Sequence, residues 1–161
     1  MKRIVIYSIL LASALLVPVE RLDVGKLKPV GLVQIYKDAD AIVIVTDSDD
    51  SGVGYTLAEA FTNLKETTAG AIFLDTADYL LIDQVFIKEI ETLGKYLKPQ
   101  VLVCIANEYI DSKAAAEYLS AHRPTVRLKD KTGLQNAEML AKENERLTIY
   151  GAKKKYEKNW K

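Results

Sequence analysis

Apolar residues fall along the chain in short runs with two different periods. VGLVQIY (Val30–Tyr36) and AIVIVT (Ala41–Thr46) are dense in β-branched residues and predict paired strands. Lys37-Asp38-Ala39-Asp40 between them has the length of a hairpin turn. TLAEAFTNLKET then changes period. Leu57, Ala60, Phe61 and Leu64 share one helical face, and Thr56 with Glu59 has the T-x-x-E spacing of a capping box. Ala71–Ile82 holds two apolar runs split by Asp75-Thr76-Ala77-Asp78 and predicts a strand, a turn and a second extended segment. Gln84–Leu97 predicts a helix capped by Asp83 and closed by Pro99. VLVCIA (Val101–Ala106) predicts a buried strand. Asp111 or Ser112 caps an Ala-rich helix that stops before Pro124. TVRL predicts a short strand, Gln135–Glu145 a last helix and Leu147–Tyr150 a final edge strand.

Strands alternating with helices argue for an α/β domain of mixed α+β character: a mixed sheet that opens with a hairpin, with helices packed on it. The length of 161 residues fits one domain, and 49% hydrophobic content is enough for a core. We divide the chain into residues 1–19 as a signal anchor or signal peptide and 20–29 as a linker. Residues 30–150 form the α/β domain and 151–161 a basic tail.

The N-terminus alters the picture most. Lys2 and Arg3 precede Ile4–Val19, sixteen residues without a charge. As a helix this run spans about 24 Å, slightly short of a hydrocarbon core of about 30 Å, a length that suits a signal h-region or a short signal anchor. It predicts one N-terminal transmembrane or signal helix, with the N-terminus cytoplasmic and the body outside. Cleavage near Ala12-Ser13-Ala14, and secretion, is the alternative.

Net charge is zero but uneven. Five Lys against one Glu in Gly151–Lys161 give +4, and Lys2 with Arg3 give +2, so residues 4–150 carry 0 − 4 − 2 = −6. An acidic body is a poor partner for nucleic acid. The basic tail, with Tyr156 and Trp160, suits weak contact with an anionic surface. The single cysteine, Cys104, forbids an internal disulfide and any cysteine-based zinc site, and its apolar run predicts burial.

TDSDDSGVGYTLAEAF (Thr46–Phe61) is the stretch with the most candidate chemistry. Asp47, Asp49, Asp50 and Ser51 supply oxygens, and Gly52 falls where a calcium loop turns. Position 12 of such a loop is Ala58, however, and the Glu arrives one residue late at Glu59. A phosphate cradle fares worse, since no Walker lysine follows and the carboxylates repel phosphate. The stretch therefore predicts an irregular ligand or Ca²⁺ loop at Asp47, Asp49, Asp50 and Ser51, or simply a turn. In the turn reading Gly52 and Gly54 relieve the backbone, and Thr56 and Glu59 cap the helix. The chain offers two further catalytic arrangements. Asp75 and Asp78 could form an acid/base pair, and Cys104 with His122 is the one thiol–imidazole combination the chain allows. Two carboxylates three residues apart in a turn are usually solvated or capping groups, and Cys104 falls in an apolar strand while His122 falls past a helix end, so no catalytic residue and no cofactor is assigned.

The run from Gly52 to Leu119 resembles the N-terminal domain of spore germinant receptor C subunits, the Ger(x)C family. The resemblance is carried by GVGYTLAEA (Gly52–Ala60), FLDTADYLLI (Phe73–Ile82), VLVCIAN (Val101–Asn107) and KAAAEYL (Lys113–Leu119), with a fainter likeness in ERLDV (Glu20–Val24). Family members carry a lipobox cysteine and further domains, so the resemblance implies a small stand-alone relative with a different anchor. It carries over no active site. Together these features predict a non-enzymatic, membrane-anchored extracytoplasmic domain that works through a membrane protein partner or self-association, with a link to sporulation or germination. A small-ligand or Ca²⁺-binding domain using Asp47–Gly54 is the alternative.

Overall fold

A computed structural model describes residues 27–143 and 146–151. The expected N-terminal helix and the basic tail lie outside these residues. The described chain is a mixed α/β domain built on a seven-stranded sheet. Its strands are β2 (Leu32–Asp38), β3 (Ala41–Thr46), β4 (Ser51–Gly54), β6 (Tyr79–Ile82), β7 (Leu102–Ile105), β8 (Met139–Glu143) and β9 (Arg146–Tyr150), in the spatial order β4-β3-β2-β6-β7-β8-β9. The central strands β2, β6, β7 and β8 run parallel. Antiparallel hairpins extend both flanks, β2-β3-β4 on one and β8-β9 on the other. A separate parallel pair, β1 (Leu27–Pro29) with β5 (Ala71–Phe73), lies before the amino ends of β2 and β6.

Alternation along each strand sends side chains to two cores. On β2, Val33 and Ile35 join Ile44, Leu80, Ile82 and Val103 under the first helix, α1 (Leu57–Thr67), which supplies Leu57, Phe61 and Leu64. On the opposite face Leu32, Leu81, Cys104 and Leu140 meet Ala115 and Leu119 of the helix α3 (Ser112–Ala121). Gln34, 1% exposed, belongs to this second face. With its amide assigned by its partners, it donates to the Ile110 carbonyl at 2.6 Å and accepts from the Ile110 N–H at 3.0 Å. That pairing satisfies a buried polar group and fixes the loop that leads into α3.

Most elements match the pattern. The expected caps are present: Thr56 on α1, Asp83 on the segment after β6 and Asp111 on α3. Four expectations change. Ser51–Gly54, expected as a turn, is the strand β4. Gln84–Leu97, expected as one helix, begins as a 3₁₀ helix over Gln84–Glu89 and completes only one α turn, α2 (Ile90–Leu93). Val126 and Leu128 turn inward, yet Thr125–Leu128 forms only an isolated bridge, Leu102 to Arg127, and no strand. Gln135–Glu145 is not a helix: Gly133–Asn136 is a 3₁₀ turn and Met139–Glu143 is β8. Residues 139–143 pair with β9 along the whole length of the hairpin, and this cross-strand ladder outweighs a helical preference that is weak on its own.

Candidate functional site

The loop Asp47–Asp50 lies at the amino end of the parallel strands, because β3 runs antiparallel to β2 and ends opposite Val33. Its three carboxylates face three different partners. Both oxygens of Asp47 accept from the Gly31 N–H at 3.1 Å. A side chain on Gly31 would meet Asp47 Oδ2 at 2.7 Å, so the carboxylate would have to shift. Asp50 is largely buried, and Lys28 Nζ sits 2.8 Å from each of its carboxylate oxygens. Asp49, in the left-handed region at φ 63°, pairs with Lys113 of α3 at 2.5 Å and raises the pKa of that lysine. Ser51 is exposed, and its carbonyl accepts from the Thr67 hydroxyl. Among the described residues no three His, Cys, Asp or Glu side chains converge as a metal site requires.

Gly52 and Gly54 are needed for proximity. Neither has a positive φ; instead α1 lies directly on the β4 backbone. Thr56 and Glu59 cap α1 as their spacing predicts. The Glu59 N–H donates to Thr56 Oγ at 3.2 Å, and Glu59 Oε2 accepts from the Tyr55 N–H at 2.8 Å. The remaining candidate residues are separated. Asp75 is exposed on a 3₁₀ turn, whereas Asp78 pairs with Lys98 at 3.0 Å. Cys104 is buried in β7 with its thiol against the Glu138 carbonyl at 3.1 Å, while His122 is exposed at the C-cap of α3. Burial, then the Glu138 charge, push the Cys104 thiol up to about 12, so it is inert at neutral pH.

Concavity lies at the other end of the sheet. A cleft of about 520 Å³ opens beyond the carboxyl end of β2, between the start of α1 and the 3₁₀ segment after β6. This is where parallel α/β sheets offer room for ligands, since loops there diverge from the strand ends. Tyr55 and Val85 stand on its walls, 76% and 56% exposed, above a buried Phe86. Lys37, Asp40 and Glu89 place charges at its lip, and among the described residues no Ser, Cys or His lines it. A second hollow of about 320 Å³, lined by Gln84, Ile87, Ile105 and Met139, lies on the far side of the same 3₁₀ segment. At the same end, Tyr36 stacks obliquely on the exposed Tyr109, ring centroids 5.4 Å apart. Burial first, then Tyr109 and Asp38, raise the Tyr36 pKa.

None of these cleft residues stands out in the sequence. Val85 occupies a helical apolar position that predicts burial. Tyr55 is one residue before a cap, and only the positions of α1 and the 3₁₀ segment reveal that it overhangs a hollow. Comparison with protein-family models, with curated proteins and with solved structures returns no match for this chain.

Proposed function

We propose that this chain is a non-enzymatic, membrane-anchored extracytoplasmic domain that makes protein contacts through the carboxyl-end cleft. The resemblance to germinant receptor C subunits suggests a setting in sporulation or germination. One observation carries the reading. The chain comes into the sheet at the amino end, through β1 and Gly31 into β2, whereas the cleft and its exposed Tyr55 and Val85 lie at the opposite end of β2. A tether before Leu27 thus leaves the cleft turned away from the membrane. An exposed aromatic and an exposed aliphatic side chain around an apolar floor are what a partner's anchoring side chain fills. A small-ligand reading also falls to this cleft and not to Asp47–Gly54, whose carboxylates already have separate partners.

The test uses the full-length chain in native membranes, with a photo-crosslinking residue at Val85 or at Phe73. Phe73 is 42% exposed but lies at the amino end. The reading expects a discrete adduct from position 85 and none from position 73. Equal labelling from both positions, or no adduct from 85, overturns it.

A further inference from the structure

The sheet has two outer strands, and they are treated differently. At β4 the outward carbonyls are occupied by side chains of α1. Thr67 Oγ donates to the Ser51 carbonyl at 2.8 Å and Asn63 Nδ2 to the Val53 carbonyl at 2.6 Å. α1 lies flush against Gly52 and Gly54, so a helix shields that edge.

At β9 one hydrogen bond covers the edge among the described residues: the Ile149 N–H donates to the Tyr118 hydroxyl of α3 at 3.3 Å. That N–H points away from β8. In an antiparallel ladder the orientation alternates, so Leu147 shares the outward direction while Arg146, Thr148 and Tyr150 bond inward to β8. The strand Arg-Leu-Thr-Ile-Tyr has strong β formers, no proline and no lysine, which are the usual devices against edge pairing.

We propose that β9 is an assembly edge and that its occupant is a second copy of this chain, added antiparallel about a two-fold axis through Thr148. In that register Leu147 exchanges both main-chain hydrogen bonds with Ile149 of the second copy, and the converse pair does the same. Thr148 faces itself. Arg146 lies beside Tyr150 of the second copy, a cation against an aromatic ring, and no like charges face each other. The two seven-stranded sheets become continuous. Tyr118 is the latch, since its hydroxyl occupies the Ile149 N–H that the Leu147 carbonyl of the second copy needs. This inference is independent of the cleft.

The test is disulfide trapping of the full-length chain in detergent micelles. Facing residues of a non-hydrogen-bonded pair have Cα atoms about 4.5 Å apart, within disulfide reach. Thr148→Cys is expected to give a covalent dimer on mild oxidation and Arg146→Cys is not, with the buried Cys104 silent in both. Tyr118→Phe keeps the ring and removes the latch, and is expected to favour assembly roughly thirtyfold, since each dimer releases two such hydrogen bonds of about 1 kcal/mol each. In sedimentation, Thr148→Lys and Thr148→Glu are each expected to be monomeric and their mixture dimeric. Absence of a Thr148→Cys dimer in the Tyr118→Phe background, equal trapping at position 146, or no rescue on mixing the charged variants overturns the proposal.

Discussion

Replacing Gly52 with alanine tests the contact on which the α1 side of the domain depends. A Cβ at this position would lie 2.3 Å from the Ala60 carbonyl oxygen, 2.4 Å from the Leu64 nitrogen and 2.6 Å from Leu64 Cβ. The first two atoms are main chain of α1, so no rotamer change relieves them. Ordinary contact begins at 3.4 Å, and 3.4 − 2.3 leaves a shortfall of 1.1 Å between helix and strand. Overpacking of this kind costs about 1–3 kcal/mol. The same displacement stretches the Thr67 bond to the Ser51 carbonyl from 2.8 Å and the Asn63 bond to the Val53 carbonyl from 2.6 Å, each worth about 1 kcal/mol. We expect Gly52→Ala to lose about 3–5 kcal/mol, a large part of the 5–15 kcal/mol typical of a domain. Gly54→Ala, with its nearest approach at 2.6 Å to the Ala60 nitrogen, should lose somewhat less. Gly151→Ala, with nothing within 4 Å, should be neutral. Urea unfolding followed by far-ultraviolet circular dichroism measures all three. A loss below about 1 kcal/mol for Gly52→Ala would refute direct packing of α1 on the β4 backbone.

Two other outcomes follow from single residues. Ala39 sits in the two-residue β2–β3 turn at φ 51°, where an L side chain costs about 1–2 kcal/mol, so Ala39→Gly should raise stability by up to about 1 kcal/mol in the same assay, and a loss would count against this turn. Cys104 holds its proton from an ordinary 9.0 up to about 12 in the fold, so stability it protects is full below pH 9 and drains between pH 9 and 12, by about 1.4 kcal/mol per pH unit; the native chain should therefore fall more steeply than Cys104→Ala over that range, and parallel curves would show the thiol is not buried as described.

The elements that sequence predicted well are those with a strong local cause. β3 matches AIVIVT residue for residue, and α1 starts where a Thr–Glu box and an apolar face coincide. β4 was hidden because two of its four residues are glycine, which lack strand preference and take their place from α1. β8 was hidden because MLAKE carries good helix formers, while the partner that makes it a strand follows after the turn. The six-residue 3₁₀ segment and the α2 turn after it carry a helical apolar pattern; Phe86 and Ile90 reach the core, but Val85 does not. The candidate site was less legible than the fold. Acidic and glycine residues drew attention to Asp47–Gly54, a loop whose charges are consumed by Gly31, Lys28 and Lys113, all remote in sequence from the motif itself.

That loop also explains how the two ends of the domain come to differ. Asp47 and Asp50 bind the β3–β4 loop to Gly31 and Lys28, and the Thr76 hydroxyl accepts from the Val30 N–H at 2.9 Å and donates to its carbonyl at 3.0 Å. Three segments of chain are thereby tied around the amino end of β2, where the Gly31 carbonyl also accepts from the N–H groups of Asp78 and Tyr79. Most polar groups here are spent on each other, the buried Asp50 Oδ2, ion-paired to Lys28 but accepting no hydrogen bond, being the exception. The carboxyl end has the opposite character: a two-residue turn, a 3₁₀ segment with a hollow on each side and exposed Tyr55, Val85 and Tyr109. Of the five large apolar side chains left exposed among the described residues, three, Tyr55, Val85 and Tyr109, gather at this end against Phe73 at the other, and the proposed reading takes this end as the surface where a partner is met.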